Sequence, residues 1–259
     1  MDYKRFIYFF VLTTSLIING VSDDAILRYN LVKDLPDVYL TPFSEKIGHT
    51  WQNGQVWDKQ LIHKFYSIIT KHNEPFVVFD IGAQTGSFSL LAKFLPNSSW
   101  YAFEPLKEAA ETLKTNLELN NVQNVFVFQA AVSDFSGHAQ LKMPPMNAWG
   151  LSTIGPNCLR FTPIEERSVD CIDLDSFVLA RHISKIDFMK LDTEGSELAI
   201  LMGALKVIAR DRPVILMEYN ETNMKQCGVV KDQVDAFLNA INYDWEQVSG
   251  DDILCIPRE

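Results

Sequence analysis

The chain has 259 residues, of which 47% are hydrophobic, so it can bury a sizeable core and is not a disordered protein. Asp and Glu number 33 against 23 Lys and Arg, a formal net charge of −10 with no basic run, which argues against a nucleic-acid partner. The four cysteines are widely spaced and form no Cys-x-x-Cys pair, so we expect no zinc site and assign no metal ligands.

The N-terminus has the layout of a targeting segment. Two basic residues precede an uncharged, mostly apolar run from Phe6 to Ile18, and Gly20 and Ser22 place small side chains before a cleavage point at Asp23. Residues 1–22 are therefore expected to be a signal peptide or a membrane anchor, which favours the secretory pathway or membrane association. The alternative is a buried N-terminal helix in a cytoplasmic protein.

Residues 23–74 are predicted to form an N-terminal helical extension. Its clearest element is DKQLIHKFYSIITKH, in which apolar residues recur on one face of a helix. Pro75 ends that helix.

From residue 75 onward, β-rich runs alternate with helical stretches, and 75–259 is predicted to be one domain. Strands are predicted at 76–82, 99–104, 124–132, 185–192 and 212–220, and helices at 87–95, 106–120, 174–182, 195–209 and 229–241. The Gly- and Pro-rich middle, 133–170, predicts a hairpin and a long surface loop, and the chain closes with a second hairpin. This alternation predicts an α/β fold, a three-layer, doubly wound, Rossmann-like sheet whose ligands bind beyond the C-terminal ends of the strands.

A glycine turn and an acid follow the first two strands. FDIGAQTGSFS carries Asp80, Gly82 and Gly86 and opens a helical stretch whose free amides suit a polar ligand. Glu104 ends the second strand about twenty residues later, where an acid accepts the hydroxyl protons of a ribose. The turn does not match G-x-G-x-x-G, which weakens a dinucleotide interpretation.

Five motifs then occur in a specific order between residues 76 and 220. They are VVFDIGAQTGSFSLLA, YAFEP, VFVFQAAVSDFSG, IDFMKLDTEGSELAILMGA and RPVILMEYN. In this order they resemble the motifs of FkbM-type methyltransferases, class I enzymes that use S-adenosylmethionine and are mostly O-methyltransferases. The resemblance implies a seven-stranded mixed sheet with the last strand antiparallel, and it does not extend to the first 75 residues.

The resemblance also implies roles for the residues around the cofactor. Asp80, Gly82 and Gly86 would surround the amino-acid part of S-adenosylmethionine, and Glu104 would hold its ribose. The residues expected beside the adenine are Ala131, Ser133 and Asp134. Asp134 has an alternative role, because an Asp next to a serine in a loop is often a turn former.

The acids of FMKLDTEGSELAILMGA divide into two groups. Glu194 and Glu197 are expected in the first turn of a helix, where negative charge is favoured. Asp192, the last residue of an inner strand, is predicted to orient or deprotonate the acceptor hydroxyl, with Glu218 and Glu194 assisting; a ligand for a hard cation is the alternative role. Trp149 is a candidate for the acceptor pocket.

Three functions remain open from the sequence. The leading one is an S-adenosylmethionine-dependent O-methyltransferase acting on a hydroxyl of a small molecule or glycan. An NAD-type oxidoreductase is less favoured, because this chain lacks the third glycine of the dinucleotide motif and a catalytic Tyr-x-x-x-Lys or His pair. A non-catalytic binding module does not need the combination of Asp80, Gly82, Gly86, Glu104 and Asp192. The sequence does not define an oligomeric state.

Overall fold

The computed structural model describes residues 26–41 and 59–259, so the expected signal or anchor at 1–22 lies outside the described residues. The strands are β1 (Leu27–Tyr29), β2 (Val38–Leu40), β3 (Phe76–Ile81), β4 (Ser98–Phe103), β5 (Val125–Phe128), β6 (Ala131–Ser133), β7 (Gly137–Met143), β8 (Glu165–Asp173), β9 (Phe188–Leu191), β10 (Val214–Glu218), β11 (Tyr243–Ser249) and β12 (Asp252–Pro257). The helices are α1 (Lys59–Ile69), α2 (Lys107–Leu119), α3 (Leu174–Ala180), α4 (Glu197–Met202), α5 (Leu205–Asp211), α6 (Glu221–Gln226) and α7 (Lys231–Ala240).

Seven strands form the central sheet, in the order β11-β12-β10-β9-β3-β4-β5. Strands β5, β4, β3, β9 and β10 run parallel, while β12 is antiparallel to both β10 and β11. The predicted mixed sheet with an antiparallel last strand is confirmed. Apart from the buried pair Asp80 and Lys190, the inner strands β3 and β9 are apolar because both faces of the sheet are covered.

Each face of the sheet is covered by its own hydrophobic core. Successive residues of β3 point to opposite faces, so Val78 packs in one core and Phe79 in the other. The first core contains the N-terminal hairpin, α1 and α2, and the second contains α3, α4, α5 and α7. The three-layer prediction is therefore confirmed.

The N-terminal extension contains a hairpin that the sequence pattern did not predict. Strands β1 and β2 pair antiparallel before the predicted helix α1. The Asn120 side chain at the end of α2 accepts from the Tyr39 amide (2.9 Å) and donates to the Tyr39 carbonyl (2.6 Å). Strands of three residues are too short to give a recognisable alternation, so these tertiary contacts decide their conformation.

Two predicted elements are divided in the structure. The run 124–132 is not one strand: the Ala130 amide bonds to the Phe128 carbonyl, and the chain turns out of the main sheet into β6, which pairs with β8 in a separate three-stranded sheet. The helix expected over 195–209 is broken into α4 and α5 at Gly203. A Cβ at Gly203 would lie 2.1 Å from the Ser133 carbonyl oxygen, so glycine permits β6 to approach there.

Among residues 26–41 and 59–259, no helix has the length and apolar character needed to cross a bilayer.

Candidate active site

A cavity of about 490 Å³ opens at the C-terminal edge of the parallel strands, where the fold predicts ligand binding. The loop between β7 and β8 and the turn between β11 and β12 complete its walls. The described residues that line it include Gly82, Gln84, Glu104, Ala131, Trp149, Arg160, Lys190, Asp192, Glu194, Glu218, Asp251 and Asp252. Most sequence-predicted site residues therefore meet in one cavity, together with the candidate pocket residue Trp149.

The two glycines of the turn after β3 have different roles. Gly82 has φ +75°, and a Cβ there would lie 1.8 Å from the Asp192 carbonyl oxygen, so glycine lets the ends of β3 and β9 touch beside the cavity. Gly86 has φ +102°, and its Cβ would lie 2.4 Å from Leu113 Cδ1 of α2. Gly86 does not line the cavity, so its absent side chain serves packing against α2 rather than close approach of a ligand.

A buried lysine connects the two strand ends. Lys190 Nζ donates to the Gly82 carbonyl oxygen (2.7 Å) and lies 3.4 Å from Asp80 Oδ1 and 3.5 Å from Asp192 Oδ2. Burial alone would lower the pKa of Lys190, but the Asp192 and Asp80 carboxylates raise it overall. Asp80 is fully buried and accepts from Ser89 Oγ (2.6 Å). Asp80 therefore lies behind the cavity lining and affects the cavity through its ion pair with Lys190, which holds the turn.

Glu104 is fixed by two backbone amides. Its Oε2 accepts from the Gln84 amide (2.9 Å) and its Oε1 from the Leu106 amide (2.8 Å). Burial raises the pKa of Glu104 to about 7, against the lowering effect of these two hydrogen bonds. Each oxygen retains a second lone pair, so the carboxylate is preset to accept hydroxyl hydrogen bonds from a ribose.

The acidic turn after β9 separates the three acids. Helix α4 begins at Glu197, whose buried Oε1 accepts from the Thr193 amide (2.8 Å) and hydroxyl (2.9 Å), as expected for an acid at a helix start. The expectation that Glu194 lies in the first helical turn is wrong. Glu194 precedes the helix and has φ +58°, in the left-handed region of backbone conformation. Asp192 stands at the cavity with its side chain 47% exposed.

Glu194 and Glu218 belong to one hydrogen-bonded group. Glu194 Oε2 accepts from Arg160 Nη1 (2.7 Å) and Asn223 Nδ2 (2.8 Å), and the same Nδ2 donates to Glu218 Oε1 (2.7 Å). Burial raises the pKa of both glutamates, and the carboxylates around them, Asp192 foremost for Glu194, raise it further.

One carboxylate oxygen from each of Asp192, Glu194 and Glu218 lies within 4.8 Å of the other two. Because Arg160 and Asn223 already donate to this group, we treat it as a hydrogen-bonded acid cluster and assign it no metal.

Two of the three residues predicted for the adenine lie elsewhere. Ala131 lines the cavity, but Ser133 and Asp134 are not among its described lining residues. Asp134 borders a separate surface depression formed mainly by α3 and α5, and Ser133 packs its carbonyl against Gly203. The cause is the turn at Ala130, which carries the chain into the small sheet before these two residues are reached.

Sequence reasoning missed Lys190, Arg160 and Asn223. Lys190 had a usable signal, a charged residue inside the otherwise apolar run FMKL of a buried strand. Arg160 lies in an irregular loop, and Asn223 in a helix of six residues that the pattern did not predict. Neither position has a periodicity that would place it at the cavity.

The strand order of the central sheet is that of the Rossmann-like fold of class I methyltransferases. The methyltransferase FkbM domain model matches residues 80–245, and the chain belongs to this family. It is 31% identical over 166 residues to methyltransferase sdnD of Sordaria araneosa, covering 53% of this chain and 63% of that protein. It is 27% identical over 159 residues to methyltransferase 1 of Beauveria bassiana (strain ARSEF 2860), covering 55% of this chain and 63% of the relative.

The chain thus spans less than two thirds of the length of these relatives. Among solved structures, the O-methyltransferase TomG from Streptomyces achromogenes, determined in complex with SAM, has a TM-score of 0.50 at 12% identity. The match covers 86% of this chain and 92% of TomG, and it shows the shared fold. The predicted membership of the FkbM methyltransferase family is confirmed, and the class I fold is the one that TomG uses to bind SAM.

Proposed function

We propose that the protein transfers the methyl group of S-adenosylmethionine to a hydroxyl oxygen of a small molecule or glycan. The observation that carries the proposal is that one cavity is lined both by Gly82 and Glu104 and by the carboxylates of Asp192 and Glu218. A methyl donor and a hydroxyl group that must lose its proton need these two chemistries side by side.

The cofactor end is built to hold a nucleoside. Glu104 would accept hydrogen bonds from the ribose hydroxyls, and Ala131 and Leu141 form an apolar wall of the same cavity. Gly82 lets the end of β9 pack directly against the turn, and Lys190 keeps that turn in place by donating to the Gly82 carbonyl oxygen. When bound, S-adenosylmethionine supplies an electrophilic methyl group on its sulfonium.

The acceptor end is built to handle a proton. Asp192 is the most exposed of the three clustered carboxylates and lies at the end of β9, beside Gly82. We assign Asp192 to orient the acceptor hydroxyl and take its proton. The hydroxyl oxygen would gain the methyl group as the methyl–sulfur bond breaks, and S-adenosylhomocysteine would be the leaving group. Glu218 and Glu194 support this position, and Trp149 contributes an apolar wall for the rest of the acceptor.

A panel of hydroxyl compounds with labelled S-adenosylmethionine tests the proposal. We expect label in at least one acceptor with the wild-type chain and at least about 100-fold slower transfer with Asp192→Asn. Calorimetry with S-adenosylhomocysteine and with NAD separates the rival functions. Binding of the former alone supports the proposal, binding of NAD would favour an oxidoreductase, and binding of neither would leave a non-catalytic module.

For localisation, we propose that residues 1–22 act as a signal or anchor. The support is the order of a basic pair, an apolar run and small residues in the sequence. Since S-adenosylmethionine is made in the cytosol, a lumenal enzyme requires its import. N-terminal sequencing of the expressed protein tests the proposal: a new terminus at Asp23 shows cleavage, and recovery of the intact chain in the cytosolic fraction contradicts both forms.

A further inference from the structure

Two side-chain amides of the short helix α6 hold the acidic turn from one side. Asn223 and Gln226 are both fully buried and both contact Glu194. Their positions, three residues apart, place them on the same face of α6. Together they bond to both the carboxylate and the backbone carbonyl of Glu194.

Asn223 uses its whole amide at the site. Its Nδ2 donates to Glu194 Oε2 (2.8 Å) and to Glu218 Oε1 (2.7 Å), and its Oδ1 accepts from Arg160 Nη1 (3.1 Å). Asn223 thus joins the ends of β9 and β10 to the loop between β7 and β8. Its backbone is held as well, because its amide donates to the N-cap side chain of Asn220 (3.0 Å).

The backbone of Glu194 is held in its left-handed conformation by neighbours of Asn223. Gln226 Nε2 (2.7 Å) and Thr153 Oγ1 (3.1 Å) both donate to the Glu194 carbonyl oxygen. A Cβ at Gly195 would lie 2.0 Å from the Asn223 carbonyl oxygen, so α6 and the turn are in direct contact. These contacts together direct the Glu194 carboxylate toward Asn223 and Arg160.

We propose that Asn223 is a positioning residue for methyl transfer, holding Glu194 and Glu218 as one hydrogen-bonded pair beside Asp192. This inference deepens the proposed function and rests on it for its catalytic meaning. Without Asn223, the buried carboxyl groups of Glu194 and Glu218 would lose the hydrogen-bond donor that they share. Arg160 would lose one of its hydrogen-bond acceptors. Glu194 and Glu218 would then no longer be held in fixed positions beside Asp192.

The charges around the pair set the direction of the expected change. Glu194 and Glu218 face Asp192 and Glu197 from the acidic turn, Asp252 opposite Glu218 on β12, and Arg160 from the β7–β8 loop. A hydrogen-bond donor favours the ionised form of a carboxyl group. Removal of the Asn223 donor therefore makes both glutamates harder to ionise. The surrounding acids, which outnumber the single arginine, act in the same direction.

The test titrates the two carboxyl groups without any acceptor. Glutamate labelled with ¹³C at the side-chain carboxyl is followed by NMR from about pH 5 to 10, with resonances assigned by Glu194→Gln and Glu218→Gln. In Asn223→Leu we expect the Glu194 midpoint to rise by about one pH unit, the effect of losing one hydrogen bond to a charged group. Asn223→Ser, which keeps one donor and is easier to accommodate, should give a smaller rise in the same direction.

The matched control is Asn120→Leu. It removes another buried asparagine, which lies at the end of α2 and is hydrogen-bonded to the N-terminal hairpin. It should leave the Glu194 midpoint where it is in the wild type. Unchanged midpoints in Asn223→Ser and Asn223→Leu, or equal shifts in Asn120→Leu, would overturn the proposal. An upward shift confined to the Asn223 variants supports it.

A kinetic arm uses any acceptor that the hydroxyl panel yields. Asn223→Leu should lower kcat at least about tenfold while the Kd for S-adenosylhomocysteine stays within about twofold of wild type, because Asn223 is outside the cofactor end. Unchanged kcat would contradict a role in transfer. If the wild type methylates no hydroxyl compound, the proposed function fails, while the NMR titration still decides whether Asn223 positions the pair.

Discussion

The α-carbon of Gly82 faces the carbonyl oxygen of Asp192 so closely that a Cβ at residue 82 would lie 1.8 Å from that oxygen. This contact joins the cofactor turn after β3 to the residue that we assign to the acceptor. The distance between the two ends of the cavity is therefore set by backbone packing, and Lys190 reinforces it through the Gly82 carbonyl.

Replacing Gly82 by alanine should destabilise the fold through this contact. Gly228 is a matched control, because it has the same φ of +75° and no atom within 4 Å of the position that its Cβ would take. The left-handed backbone costs each variant about 1–2 kcal/mol, and Gly82→Ala carries the clash in addition. Urea unfolding should give a larger loss for Gly82→Ala than for Gly228→Ala, and equal losses would contradict the contact.

Lys190→Met should leave the fully buried Asp80 without its cation. Removal of one partner of a buried ion pair costs about 3–5 kcal/mol, measured by chemical denaturation. The double variant Asp80→Asn/Lys190→Met removes both charges and should recover part of that loss. A double variant as unstable as the sum of the two single variants would show that the pair is not coupled.

Glu104 should make cofactor binding depend on pH. Burial raises its pKa to about 7 in the folded protein, so the folded state favours the protonated carboxyl. The free energy of unfolding should therefore fall as the pH rises from the pKa of Glu104 in the unfolded chain to about 7. The ionised form accepts the ribose hydroxyls, so the affinity for S-adenosylhomocysteine should rise up to about tenfold between pH 6 and pH 8. Calorimetry should show this rise in the wild type and a flat profile in Glu104→Gln; a flat wild-type profile would argue against the assignment.

Asp192→Asn should separate catalysis from binding. Loss of a general base slows transfer by about 100-fold or more, while the Kd for S-adenosylhomocysteine should stay within about twofold. Asp244→Asn, at an exposed carboxylate outside the cavity lining, is the control. Normal turnover by a folded, cofactor-binding Asp192→Asn enzyme would exclude the role assigned to Asp192.

The sheet was predictable because its strands carry strong local signals. β3 and β9 are apolar runs interrupted only by Asp80 and Lys190, and the turns that follow them at the C-terminal edge are polar. Asp192, Glu218 and Glu104 were predicted from this rule together with the glycine-turn spacing and the family resemblance, since residues at the ends of parallel strands must meet at one edge.

The parts that were missed depend on tertiary contacts. The turn at Ala130 redirects Ser133 and Asp134, and the Ser133 carbonyl packs against Gly203, where α4 and α5 are divided. Arg160 reaches the acids from an irregular loop whose path no periodicity encodes. Glu194 resembled a helix-start acid in sequence, but the contacts of its carbonyl oxygen hold it in a left-handed turn before the helix.

The chemical identity of the product tests most directly whether the enzyme methylates oxygen through Asp192. S-adenosylmethionine labelled with ¹³C at the methyl group is incubated with the enzyme and the hydroxyl panel, and the product methyl is identified by NMR and mass spectrometry. We predict a methyl ether on oxygen that forms in the wild type and is lost in Asp192→Asn. A methyl group on nitrogen or carbon, or an ether formed equally well by the variant, would contradict this function.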